Sequence, residues 1–108
     1  MFKVYYNDIS IIRGDTGFFA INICNSNGES VSLADDDVLI FTVRANPNAE
    51  IAIQKRLTGT NKLVLEPSDT ADLEFGKYCY DVQLTRADGY VDTVIPPHTF
   101  RIMEEVTY

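Results

Sequence analysis

Between Gly17 and Cys24 the chain alternates. Phe19, Ile21 and Ile23 take one parity, and Phe18, Ala20, Asn22 and Cys24 take the other. A period of two puts the first set on one face of a strand. The same period recurs from Glu50 to Leu57, where Ile51, Ile53 and Lys55 oppose Ala52 and Gln54. It recurs at Leu63 and Leu65, and again from Lys77 to Arg86, where Tyr78, Tyr80, Val82 and Leu84 share a face. Val38 to Arg44 is apolar at nearly every position, as a central strand buried on both sides would be. Shorter runs at Phe2–Tyr6, Ile9–Arg13, Tyr90–Ile95 and Thr99–Met103 read as further strands.

Turn residues separate these runs. Asn25-Ser26-Asn27-Gly28, Asn46-Pro47-Asn48 and Leu57-Thr58-Gly59-Thr60-Asn61 each break the pattern, since Asn, Gly and Pro favour turn conformations. Ala87-Asp88-Gly89 carries the Asp-Gly signal of a tight hairpin. Pro96-Pro97 cannot donate to a ladder and predicts a bulge or a strand edge. One short helical turn is expected near residues 68–74, with Ser68 or Asp69 as its cap and Asp72 near its positive end.

Seven to nine short strands in one chain, spanning residues 1–108 as a single domain, predict an all-β fold: an immunoglobulin-like antiparallel β-sandwich. In such domains a Tyr at the corner between sheets bonds back to the backbone upstream. Tyr78 stands where that Tyr would, with plain core packing as the alternative. Cys24 and Cys79 both fall out of phase with the inward sets on their strands, so two free thiols are expected; a bulge would reverse the face.

Composition agrees. Val, Ile, Thr, Tyr and Phe make up 40 of 108 residues, while Ala and Leu number seven each, which favours strands over helices. The net charge of −7 and the scatter of the nine basic residues exclude a phosphate-binding footprint and hence nucleic acid as partner. No apolar run approaches the roughly 18 residues of a spanning helix, so no membrane insertion is expected. The first residues lack the layout of a signal peptide.

Candidate chemistry is sparse, and no catalytic, metal or cofactor residues are assigned. His98, the single histidine, reads as a solvated loop or edge residue beside Pro97; a pairing with Cys24 or Cys79 has no support in spacing. Asp35-Asp36-Asp37 lacks the spacing of a calcium loop and reads as a solvated loop before a strand. Asp35 and Asp37 with Asp69 or Asp72 form the calcium alternative. Arg13-Gly14-Asp15 spells an adhesion tripeptide, yet Gly14 has a plain use as a turn residue. Tyr5, Tyr6 and Tyr90 suit either a sugar-stacking platform or a core or subunit contact, where Tyr is enriched.

Several strings in order carry a resemblance: Arg13-Gly14-Asp15-Thr16-Gly17-Phe18-Phe19, Thr42-Val43-Arg44, Leu65 to Leu73, Gly76-Lys77-Tyr78-Cys79-Tyr80-Asp81-Val82, Asp88-Gly89 with Asp92-Thr93-Val94, and Phe100-Arg101-Ile102. Together they resemble the small immunoglobulin-like domain of tailed-phage structural proteins, above all the N-terminal domain of upper baseplate proteins from phages of Gram-positive hosts. That resemblance implies a non-enzymatic virion protein of tail or baseplate, made in the bacterial cytoplasm, whose partners are other phage structural proteins or further copies of itself. The family domain heads longer proteins, whereas this chain ends at Tyr108, which favours an assembly part over a receptor binder. Interface residues are expected near the chain ends, including Glu104 and Glu105. The alternative is a carbohydrate- or cell-surface-binding module of the same fold.

Overall fold

The computed structural model describes residues 2–5, 7–23, 27–30 and 32–104, and the side chains of these from residue 7 onward. The elements in chain order are β1 (Phe2–Tyr5), β2 (Asp8–Ile12), β3 (Gly17–Ala20), β4 (Val38–Arg44), β5 (Ile51–Thr58), β6 (Lys62–Leu65), α1 (Pro67–Thr70), β7 (Gly76–Thr85) and β8 (Val91–Met103). The fold is all-β. Six strands make one sheet in the order β1-β2-β8-β7-β4-β5, and β3 with β6 makes a second.

Alternation explains which residues are inside. Leu63 and Leu65 of β6 are buried, as are Tyr80, Val82 and Leu84 of β7. Both sheets contribute to one apolar cluster, in which Leu63, Leu65 and Ile21 join Leu39, Phe41 and Phe100 of the large sheet. Its centre is aromatic: the Phe41 ring lies 5.2 Å from Tyr80 and 6.1 Å from Phe100, and Tyr80 lies 6.4 Å from Phe100. Such pairs add roughly 0.5–1.5 kcal/mol each beyond their buried area. β4 sits between β7 and β5, the interior place its apolar sequence predicts.

One expectation about the sheet is corrected. It is mixed rather than purely antiparallel, because β2 runs parallel to β8, with Ile9 opposite Phe100 and Ile12 opposite Met103. Hairpin signals report only on strands joined by a short turn. No turn joins β2 to β8, so no local signal carries their relative direction.

The connections follow their residues. The β7–β8 loop is Ala87-Asp88-Gly89, with Gly89 at φ +93°. The Gly89 N–H donates to the Arg86 C=O at 2.9 Å, and the Arg86 N–H donates to the Tyr90 C=O at 2.8 Å. This is the three-residue hairpin with a left-handed third residue. β8 continues through Pro96-Pro97, as one strand rather than two. Tyr80 faces His98 and Val82 faces Ile95, so Asp81 alone opposes both prolines, and the expected bulge is there. The same ladder slips again between Val82 and Gln83, leaving Val94 unopposed, and a further bulge, between Val43 and Arg44 against β5, pairs Arg44 with Ile51. It leaves Ile51 exposed, against the inward place expected from its parity with Ile53.

β3 stops at Ala20, short of the expected Cys24, although Ile21 stays buried and Ile23 half-buried. The helical turn begins one residue earlier than expected. Its N-cap is Glu66, not Ser68 or Asp69. Asp69 serves from inside the turn, its carboxylate accepting the Glu66 N–H at 2.7 Å. Asp72 lies past the end of α1 rather than at its positive end, because the turn closes at Thr70.

Candidate functional site

The turn motifs at Arg13-Gly14-Asp15 and before Tyr78 prove to be fasteners within the fold. At Arg13-Gly14-Asp15, the Asp15 N–H donates to the Ile12 C=O at 3.0 Å, and the Gly14 N–H donates to Thr70 Oγ1 at 2.9 Å. Thr70 is fully buried. The Gly-Asp-Thr string and the α1 turn therefore clasp each other across 56 positions of sequence. Arg13 lies 4.2 Å from the centre of the Phe75 ring, a cation–π contact. Tyr78 hydroxyl donates to the Glu74 C=O at 2.8 Å, the upstream backbone bond weighed for it against plain packing.

The acidic run is not a uniformly solvated loop. Asp35 and Asp36 are exposed, but Asp37 is buried. Its carboxylate accepts the Ala34 N–H and an Arg86 guanidinium N–H, each at 2.9 Å. Gly59 closes this corner. Its N–H donates to the Asp37 C=O at 2.9 Å, its φ is +69°, and a Cβ there would meet the Asp35 carbonyl oxygen at 2.9 Å. Asp69 is engaged elsewhere, 2.8 Å from Lys55 Nζ. Among the described residues no group of three or more His, Cys, Asp or Glu side chains converges where a metal ion would sit.

His98 is a strand residue, half-buried in β8, instead of a solvated loop residue. Its Nδ1 lies 3.7 Å from Asp8 Oδ1, and its ring centre lies 6.5 Å from that of Tyr80. The Tyr80 hydroxyl donates to the Asn7 C=O, and the Thr99 N–H donates to Asp8 Oδ1 at 3.2 Å. These contacts hold the tip of the β1–β2 hairpin against β8. Asn7, at φ +69°, is of the residue type that tolerates this conformation best after Gly. Burial, and then the nearby Asp8 charge, push the Tyr80 phenol well above its ordinary value. Burial also raises Tyr78, with the Glu74 charge adding to it.

Cys79 carries a free, half-buried thiol; Cys24 lies outside the described residues. Tyr80 faces His98 across the ladder, so Cys79 and His98 take opposite faces of the sheet. The arrangement keeps the imidazole away from the thiol. Cys79 instead lines a groove of about 120 Å³ with Thr42, Arg44, Pro47, Asp81 and Pro97.

A larger cleft, about 360 Å³, opens where β3 runs out. Asn22, Ser30, Ser32, Thr60 and Asn61 line it with hydroxyls and amides, beside Ile21, Ile23 and Leu33. Asn61 Nδ2 donates to the Ile21 C=O at 2.9 Å, which shapes the wall. Among the described residues, none that lines the cleft is charged.

Apolar side chains left outside the core are the remaining feature. Phe18 and Val64 face each other across β3 and β6, 60% and 42% exposed. Tyr90 and Val91, at the start of β8, are 59% and 55% exposed. Of the predicted aromatic platform only the Tyr90 side chain can be placed; those of Tyr5 and Tyr6 lie outside the described residues, as does Glu105. Glu104 is exposed just after β8.

Open strand edges complete the surface, with β1 and β5 as the end strands of the large sheet. β5 ends one side of the six-stranded sheet. On the other side β2 reaches only Phe100–Met103 of β8, so Val91–Ile95 has β7 as its single neighbour among the described residues. Sequence reasoning missed this edge, and it missed the Asp37–Arg86 pair. Position alone could have hinted at Asp37, which stands directly before an entirely apolar strand. No protein-family model matches the chain, and no curated protein matches it.

Proposed function

We propose that the chain is a non-enzymatic assembly module, an immunoglobulin-like β-sandwich that acts through protein–protein contacts as a structural part of a phage or prophage tail or baseplate. The observation that carries the contact mechanism is the open sheet edge on β5 together with the unpaired flank of Val91–Ile95 of β8, with Ile51, Tyr90 and Val91 exposed beside them. Unpaired strand edges with apolar side chains are templates for strand addition. The Tyr78–Glu74 bond and the packing of two sheets on one core support the immunoglobulin-like arrangement. The phage setting rests on the sequence resemblance.

Mass spectrometry of gradient-purified particles, released by inducing the bacterium that carries the gene, tests it. Recovery in stoichiometric ratio to tail proteins is the expected result. Absence from particles with the protein abundant in the lysate overturns the virion reading.

The uncharged cleft favours a second reading, a carbohydrate-binding module. Hydroxyls and amides beside apolar walls suit a neutral polyol. Titration of isotope-labelled protein with cell-wall saccharides should then shift the Thr60 and Asn61 amides first; unshifted spectra at saturating sugar exclude it.

A further inference from the structure

The face of the large sheet turned away from the core carries a basic patch on an acidic chain. Tyr80, Val82 and Leu84 point into the core that the second sheet shares. Lys77, Cys79 and Asp81, of the other parity in β7, therefore lie on the outer face. Register brings the neighbouring strands into line: Arg101 of β8 stands opposite Lys77, and Arg44 of β4 stands opposite Cys79. Lys77 and Arg101 are exposed and Arg44 is half-buried. None of the three makes an ion pair among the described residues. The Arg44 guanidinium donates to the Ala49 C=O at 2.6 Å, which leaves its charge unbalanced.

Like charges directly opposite each other on a ladder destabilise it. The Lys77–Arg101 pair breaks that rule, and no carboxylate within the described fold offsets it. A local rule broken without compensation is typical of a functional surface. The groove of about 120 Å³ adjoins the same charges, since Cys79 and Arg44 line it together with Thr42, Pro47, Asp81 and Pro97. It is smaller than the roughly 300 Å³ of a small-molecule pocket and close to the roughly 150 Å³ that takes a benzene-sized group. It has room for one apolar side chain. Along β7 the basic Lys77 lies two residues to one side of Cys79, and Asp81 lies two residues to the other.

On the reading of this chain as an assembly module, we infer that the outer face of the large sheet docks an acidic segment of another protein. One aliphatic side chain of that segment seats in the groove, and carboxylates beside it meet Lys77, Arg101 and Arg44. Asp81 repels a carboxylate at the opposite end and so fixes the direction in which the segment lies. A seated apolar anchor ringed by polar contacts is the usual form of an interface hot spot. Charge favours a short segment over a long polyanion. Three cations neutralise few phosphates, and the net charge of −7 repels an extended anion.

The test is an NMR titration of the isotope-labelled full chain with a short synthetic peptide of glutamate and serine that carries one central leucine. The amides of Arg44, Lys77–Asp81 and Thr99–Arg101 should shift together, while those of Thr60 and Asn61 stay in place. Lys77→Glu and Arg101→Glu should each weaken binding about tenfold, as should alanine in place of the peptide's leucine. Each variant turns the like-charge pair into an opposite-charge pair, so its urea midpoint should hold or rise. A purely structural role for the two residues would lower that midpoint, and a lowered midpoint overturns the inference. So do unshifted spectra at millimolar peptide, variants that bind as tightly as the wild type, and a single-stranded oligonucleotide that binds tighter than the peptide. Self-association of the chain that either variant abolishes makes the occupant a second copy and overturns it too. A chain recovered from purified particles whose outer face takes no peptide loses this inference and keeps the assembly reading. Peptide binding by a chain absent from particles does the reverse.

Discussion

The two halves of β8 are one strand in two surroundings. Phe100 to Met103 lies between β2 and β7, with ladders on both sides. Phe100 and Ile102 there are buried. Val91 to Ile95 has β7 on one side only, and Val91 is largely exposed. Residue type does not separate the halves, since both are rich in branched and aromatic residues. What differs is the flank of the strand: a second strand beside one half, and water beside the other, although Ile95 still reaches the core. The bulge at Pro96-Pro97 marks the change, with Asp8 gripping β8 just beyond it through Thr99 and Asn7 gripping the neighbouring β7 through Tyr80. The half that is clasped holds the fold together. The half that is open has β7 as its single neighbour among the described residues.

Truncation in the clasped half should therefore cost the most. Phe100→Ala removes a fully buried ring from the Phe41–Tyr80–Phe100 cluster, and large-to-small changes of this kind cost about 3–5 kcal/mol. Urea denaturation followed by circular dichroism measures it. A loss below about 1 kcal/mol would mean that the site collapses around the gap and that the clasped half is not the keystone.

Next in size is the tie between the open half and the core. Arg86 closes the hairpin at the start of β8 and reaches Asp37 before β4. Asp37→Ala leaves the guanidinium without its carboxylate and the Ala34 N–H without its acceptor. Arg86 is partly exposed and regains some hydration, so the expected loss is about 2 kcal/mol, below that of a fully buried pair. Amide exchange should quicken at Tyr90–Ile95 more than at Phe100–Met103. Equal quickening in both halves would break the distinction between them.

Much of this was legible in the sequence. Parity alone placed Leu63, Leu65, Tyr80, Val82 and Leu84 inward, because a period of two has one solution where one face is buried. The Asp-Gly hairpin and the proline bulge were legible for the same local reason. Ile51 was misplaced by a bulge, which adds one residue and flips parity without leaving a mark on composition. The β2–β8 pairing and the Asp37–Arg86 contact join residues far apart in the chain, and no local pattern encodes either. The candidate surface was the least legible part. An exposed edge is defined by the strand that is not beside it, and the sequence of Val91–Ile95 reads like any other strand.

Smaller still is the change at Tyr80, which stands at the junction of the halves. Tyr80→Phe removes the bond to the Asn7 carbonyl at a cost of about 1 kcal/mol. It also tests a pH dependence. Burial and Asp8 raise the folded phenol above the ordinary value of about 10, so the folded chain keeps a proton that the unfolded chain releases. The resulting stability is complete below about pH 10 and is lost as pH rises above it. The wild type should therefore lose stability more steeply than Tyr80→Phe on the alkaline side. Parallel curves would show that the Tyr80 phenol ionises alike in the folded and unfolded chain.

The smallest effect belongs to the open half. Val91→Ala touches a side chain already mostly in water, so its transfer on folding contributes little, and surface changes of this kind stay within about 0.5 kcal/mol. The midpoint of urea denaturation should barely move. Placed beside Phe100→Ala, the variant contrasts two apolar truncations on one strand, separated by whether a second layer covers them. A loss above about 1.5 kcal/mol lies well outside the surface range and would mean that Val91 packs in the monomer. Val91 would then join Ile95 in the core, and a partner strand at Val91–Ile95 would have to displace packing instead of adding to it.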